Sequence, residues 1–107
     1  MAITPKVLAE GQLPASKTTL YTVPGATSAY VRFISANNVG GAEEVVQFYV
    51  KPGGTSRRLG RYALLANEVA RVLEQGEVIT LEAGDIIEGE TTNATSVDYL
   101  ITGAEEA

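Results

Sequence analysis

At 107 residues the chain suits one domain around a single core, and a hydrophobic share of 45% against 20% charged residues excludes disorder over most of its length. It contains no histidine and no cysteine, which removes Ser-His-Asp and Cys-His nucleophilic schemes, imidazole and thiolate metal sites, and any disulfide framework. The net charge of −5 is unevenly spread: residues 1–73 hold all eight Lys and Arg with only four acids, whereas residues 74–107 hold nine acids and no base, a distribution that disfavours nucleic acid as the partner.

In chain order, residues 1–17 lack the basic start and continuous apolar run of a signal peptide, and they are expected as an N-terminal arm on one domain spanning 1–107. No stretch is long and apolar enough to span a membrane as a helix, so neither a membrane nor export is expected and a cytoplasm is the default setting. Thr18 to Val23, closed by Pro24-Gly25, predicts a short strand and a turn. Ala29 to Ala36 carries Tyr30, Val31, Phe33 and Ile34 and predicts a second strand, broken by Asn37, Asn38, Gly40 and Gly41, whose glycine pair reads as a hairpin turn. The clearest alternation follows: Val46, Phe48 and Val50 fall on one face, with Gln47, Tyr49 and Lys51 on the other, before Pro52-Gly53-Gly54.

The middle of the chain admits two readings. From Tyr62 to Gln75, the residues Tyr62, Leu65, Val69, Val72 and Leu73 have helical spacing with Gly76 as a C-cap. Leu64-Leu65 and Val69 to Leu73 also suit two strands around a turn at Ala66-Asn67-Glu68, and this reading is preferred because it keeps the rhythm of turn signals. Beyond Gly76, strands are expected at Val78–Leu81, Ile86–Glu90 and Val97–Thr102, with an acidic tail at 104–107. The sum is an all-β chain, an antiparallel β-sandwich of jelly-roll-like type with about seven or eight short strands.

Few chemical sites survive this reading. Glu82, Asp85, Glu88 and Glu90 form a carboxylate cluster formally able to serve glycoside hydrolysis or to bind calcium, but their spacing matches no ordered calcium loop and solvated turn acids explain them better. No enzymatic activity and no cofactor are expected. Lys51, Arg57, Arg58 and Arg61 form a basic cluster, read as loop arginines that are solvated or paired with protein carboxylates. Tyr30 and Tyr49 join it as candidate interface residues, since tyrosine suits partly wet protein contacts; Tyr99 shares their placement on a strand.

Leu20-Tyr21-Thr22-Val23-Pro24-Gly25, the Tyr30–Ile34 run ending at Asn38 and Gly40-Gly41, Val46 to Val50, and Ile79-Thr80-Leu81-Glu82-Ala83-Gly84-Asp85-Ile86-Ile87 follow one another in a pattern that resembles small β-structured virion proteins of tailed bacteriophages. The resemblance covers most of residues 18–105 and carries no catalytic or ligand-binding residue. It implies a structural virion component assembled in the host bacterial cytoplasm. Capsid decoration on the outside of the head shell stands first, with a tail, collar or fibre-base protein as the alternative. It further implies a homo-oligomer, with a trimer favoured, in contact with the major capsid protein or another virion protein. A carbohydrate- or calcium-binding sandwich module is the competing class.

Overall fold

The computed structural model describes residues 3–73 and 76–107. It contains nine strands: β1 (Ile3–Gln12), β2 (Thr18–Thr22), β3 (Ser28–Asn38), β4 (Glu44–Lys51), β5 (Arg57–Leu64), β6 (Val69–Arg71), β7 (Ile79–Leu81), β8 (Ile86–Glu90) and β9 (Val97–Glu106). A single 3-10 turn at Pro52–Gly54 joins β4 to β5, and there is no α-helix among the described residues. All strand pairs are antiparallel. Sheet A has the order β1-β9-β3-β6, with β7 pairing a different stretch of β3, and sheet B has the order β2-β8-β4-β5. The chain alternates between the sheets from β1 to β4 and again from β7 to β9, and the two strand orders together are those of a jelly roll, as expected.

The core lies between the sheets because the strand period of two sends every second side chain inward. Ala29, Val31, Ile34 and Ala36 of β3, Val46 and Phe48 of β4, Ile87 of β8, and Val97 and Ile101 of β9 are all fully buried in one cluster. The phase of β3 slips by one at Arg32, where a bulge lies between Val31 and Phe33. Phe48 is the largest fully buried side chain, and its burial from water contributes about 2–3 kcal/mol. It fits because β8 passes it with Gly89: a Cβ there would lie 2.7 Å from Leu20 Cδ1 and 3.4 Å from Phe48 Cδ1.

Several expectations are corrected by the pairing. Among the described residues the sandwich has nine strands where about seven or eight were expected, and β1, β3 and β9 run to 10, 11 and 10 residues. Most of the expected arm at 1–17 is β1, which pairs with β9 along its whole length, and the expected acidic tail is the end of β9, running to Glu106; Met1 and Ala2 lie outside the described residues. The basic cluster is not a loop: Lys51 ends β4 and Arg57, Arg58 and Arg61 are on β5, where three arginines and the bulge at Leu59 interrupt the apolar alternation of a strand. Gly40-Gly41 is not a hairpin turn, since β3 and β4 belong to different sheets and the glycines lie on the crossing between them.

Tyr62–Leu73 takes the strand reading, and the last part of that segment, Glu74 and Gln75, lies outside the described residues. The helix fails because tertiary partners claim the turn. Asn67 adopts a left-handed φ of 66°, its N–H donates to Asn38 O at 2.8 Å, and Asn38 N–H donates to Glu68 O at 2.9 Å. The Glu68 carboxylate accepts from Leu65 N at 2.6 Å and closes the turn locally.

Buried polar groups hold both ends of the sandwich. At one end, Asn38 is fully buried, donating to Ala42 O and Leu64 O and accepting from Gly40 N. Glu44, 1% exposed, accepts from Thr91 Oγ1 at 2.9 Å, Asn93 N at 2.8 Å and Asn93 Nδ2 at 2.8 Å, tying the β8–β9 connection to β4. At the other end, Tyr21 of sheet B donates to Glu105 of sheet A at 2.5 Å, and Lys6 pairs with the same carboxylate at 3.1 Å.

Candidate interaction surface

The period of two on β4 turns Gln47, Tyr49 and Lys51 outward, and register decides what they meet. Tyr49 lies between Arg58 on β5 and Glu88 on β8, and Gln47 lies between Arg61 and Glu90. A bulge between Phe48 and Tyr49 absorbs Leu59, so that Arg58 and Arg61, three apart in sequence, both fall opposite outward residues of β4. The outer face of sheet B therefore gathers four of the six candidate residues, Lys51, Arg58 and Arg61 with Tyr49, whereas Arg57 pairs with the inward Val50 and stands exposed at the strand's start on the other face.

The side chains form a polar network. Tyr49 donates to Glu90 Oε2 at 2.6 Å, and Lys17 stands 4.4 Å over the tyrosine ring, a cation–π contact that braces the aromatic from above. Lys17 also donates to Ser56, which donates to Glu88. Arg58 donates to Gln47 Oε1 at 3.2 Å. The bond to Glu90, followed by burial, pushes the Tyr49 hydroxyl above its ordinary range and keeps it a neutral donor at any physiological pH. Arg57, Arg58 and Arg61 are exposed, and none of the four basic cluster residues has an ion pair among the described residues, where the pair found is Lys6–Glu105. Of the two readings of this cluster, solvated or paired with carboxylates, the second finds no ion pair among the described residues.

Tyr30 is not part of this surface. It projects from the outer face of sheet A, opposite Ala104 and Thr80, and donates to Glu106 at 2.7 Å, which with partial burial raises its hydroxyl pKa. Tyr99 points the other way and packs against the core, where burial raises its pKa.

Three of the four carboxylates of the 82–90 segment serve separate partners. Asp85 accepts from Glu82 N and Gly53 N and closes the β7–β8 turn, Glu88 holds Ser56, and Glu90 holds Tyr49. Among the described residues no group of three or more carboxylates is placed to hold a metal ion. Nor, among them, is any helix long and apolar enough to cross a membrane. Sequence reading missed Lys17, Ser56 and Gln47, because residues 17, 47 and 56 meet only through strand register; the outward phase of Gln47 beside Tyr49 was the one available signal.

The fold and this face define an all-β sandwich with a braced polar sheet face, on which Arg58 and Arg61 of β5 stand to one side of β4 and Glu88 and Glu90 of β8 to the other. No family model and no curated protein matches the chain. Among solved structures it is similar to a protein of Bacillus endospore appendages, described as forming a novel family of disulfide-linked pili, with a TM-score of 0.52 over 99% of this chain and 88% of that one at 14% identity. At that identity the likeness is one of fold, and a chain without cysteine has no means of disulfide linkage.

Proposed function

We propose that this chain is a non-enzymatic structural subunit of a multi-copy assembly, specifically a decoration protein on the outside of a tailed-phage head shell, added in the host cytoplasm. The observation that carries the reading is the outer face of sheet B, where Arg58 and Arg61 stand exposed on β5 without an ion pair among the described residues. Such a face suits docking on an acidic protein surface, with charge selecting the register of contact. The virion setting comes from the sequence resemblance described above. The fold shared with a pilus subunit supports structural assembly as the class, and it favours the tail, collar or fibre-base placement as the second reading.

The test is to mix the purified chain with phage particles lacking this component and count bound copies on heads and on tails. Saturable binding to heads is expected. Binding confined to tails selects the second reading, and no binding to either overturns the virion assignment.

A further inference from the structure

We propose that the outer face of sheet A is a self-association surface, on which a second copy of this chain packs about a two-fold axis parallel to the strands, Glu10 of each copy meeting Arg71 of the other. The inference goes beyond the decoration reading and stands whether or not the chain belongs to a virion.

Sheet edges are poor sites for association in this molecule. β1 carries Pro5, Lys6 and a bulge between Val7 and Ala9. β2 has only five residues and a bulge between Thr19 and Tyr21, β5 carries three arginines beside the Leu59 bulge, and β6 and β7 have three residues each. These are the devices by which edge strands resist pairing with other chains.

The face of sheet A offers more. Cross-strand partners share a face, so its rows follow from the register. One row is Val7–Thr102–Phe33, the next is Glu10–Leu100–Ser35–Arg71, and a third is Gln12–Asp98–Asn37–Val69. Val7 and Val69 are 51% and 53% exposed. Phe33 and Leu100 are only partly covered and belong neither to the core cluster nor to the residues packed on it. Val7, Phe33, Leu100 and Val69 therefore put apolar surface, interspersed with polar side chains, on a sheet whose other face is packed into the core.

Charge selects the occupant. Glu10 and Arg71 stand at opposite margins of one row, both exposed and without an ion pair among the described residues. Three strand spacings, about 14 Å, separate them, too far to pair within the chain. A two-fold axis along the strands between β9 and β3 reverses the strand order while keeping each row level. It places Glu10 over Arg71 of the second copy and Arg71 over its Glu10, sets Leu100 against Ser35 and Thr102 against Phe33, and brings Asp98 to Asn37. Three strands of about ten residues, with the three-residue β6 and β7 beside them, give roughly 570 Å² a side, about 1,100 Å² in all, just above the roughly 1,000 Å² that a specific interface should clear. A three-fold contact through other surfaces would combine with this one into a closed dihedral assembly.

The absence of cysteine makes the test clean. In the double variant Glu10→Cys/Arg71→Cys, the two positions within one chain are about 14 Å apart and cannot bridge. A mild thiol oxidant is expected to give a covalent dimer that reductant reverses, while each single variant stays mainly uncrosslinked. Sedimentation at about 100 micromolar, above the micromolar constants reached by interfaces of this size, should show a dimer for the unmodified chain. Glu10→Arg or Arg71→Glu alone should weaken it about tenfold or more, and the double charge swap should restore it. These substitutions are on the surface and folding is verified by circular dichroism. A monomer at that concentration with no double-cysteine crosslink overturns the proposal, as does a dimer that the double charge swap fails to rescue or that both single cysteine variants crosslink equally well. No particle enters these measurements, so failure of the decoration reading leaves them unaffected.

Discussion

Replacing Glu44 by alanine should be among the costliest single changes to a polar residue in this protein. The carboxylate is buried and accepts three hydrogen bonds, from Thr91 Oγ1, Asn93 N and Asn93 Nδ2. Truncation strands the Thr91 hydroxyl, itself 3% exposed, and frees the Asn93 donors; each buried group left unpaired costs about 1–3 kcal/mol. Relief from desolvating a carboxylate offsets part of this, leaving a net loss of about 3 kcal/mol. For a domain of this size each kcal/mol moves the midpoint by about 4–8 °C, so a drop of about 12–24 °C is expected by calorimetry at pH 7. Glu44→Gln keeps one acceptor and should cost about 1 kcal/mol. The acid limb supplies a second readout. Burial alone would raise this carboxyl's pKa, but the side-chain and backbone donors of Asn93, with Thr91, outweigh it and hold the group below the ordinary range. A depressed folded pKa means that the stabilisation is complete above the unfolded value of about 4.3 and disappears as pH falls through the folded one. The wild-type chain should therefore lose stability below about pH 4.5 more steeply than Glu44→Gln. A loss within about 0.5 kcal/mol for Glu44→Ala, the range of ordinary surface changes, would refute this account of the loop clamp.

Tyr21→Phe removes the bond to Glu105 that joins the two sheets and should cost about 1–2 kcal/mol in urea unfolding; because Glu105 is lowered chiefly by Tyr21, with Lys6 also contributing, the variant should also flatten the acid limb. Gly103→Ala should prevent folding or cost more than about 4 kcal/mol, since its Cβ would stand 2.0 Å from the Tyr30 carbonyl oxygen, and soluble expression with a native melting curve would contradict the geometry of the β3–β9 pair. Arg57→Glu with Arg58→Glu should leave the isolated domain within about 0.5 kcal/mol of wild type, because both side chains are exposed, yet abolish binding to particles. Equal particle occupancy by mutant and wild type would remove charge as the selector of register.

The amino-acid sequence by itself determined the all-β class and the alternating phase of β4 and β9, whereas the inward phase of β3, which slips at the bulge by Arg32, was decided by the pairing. Val46 and Phe48 flank Gln47, and Val97, Tyr99 and Ile101 alternate with Asp98, Leu100 and Thr102 at the period of a strand, which turns Val46, Phe48, Val97 and Ile101 into the core with Tyr99 packed against it. Two strands escaped it for physical reasons. β1 is exposed over most of its length, so no hydrophobic alternation marks it, and β5 mixes three arginines with Gly60, whose missing side chain leaves room for Tyr62. The composition of the basic cluster was legible, but its surface was not. Which residues stand beside Arg58 depends on the Leu59 bulge and on β4 lying between β5 and β8, and neither is a local property of the chain. The separation of Tyr30 from Tyr49 has the same origin. Both lie on outward strand positions with similar neighbours, and only the crossing at Asn38–Glu43 sends β3 to one sheet and β4 to the other. That crossing is held by the buried amide of Asn38 and its bonds to Ala42 and Leu64, long-range partners that no pattern of residues near Asn38 specifies.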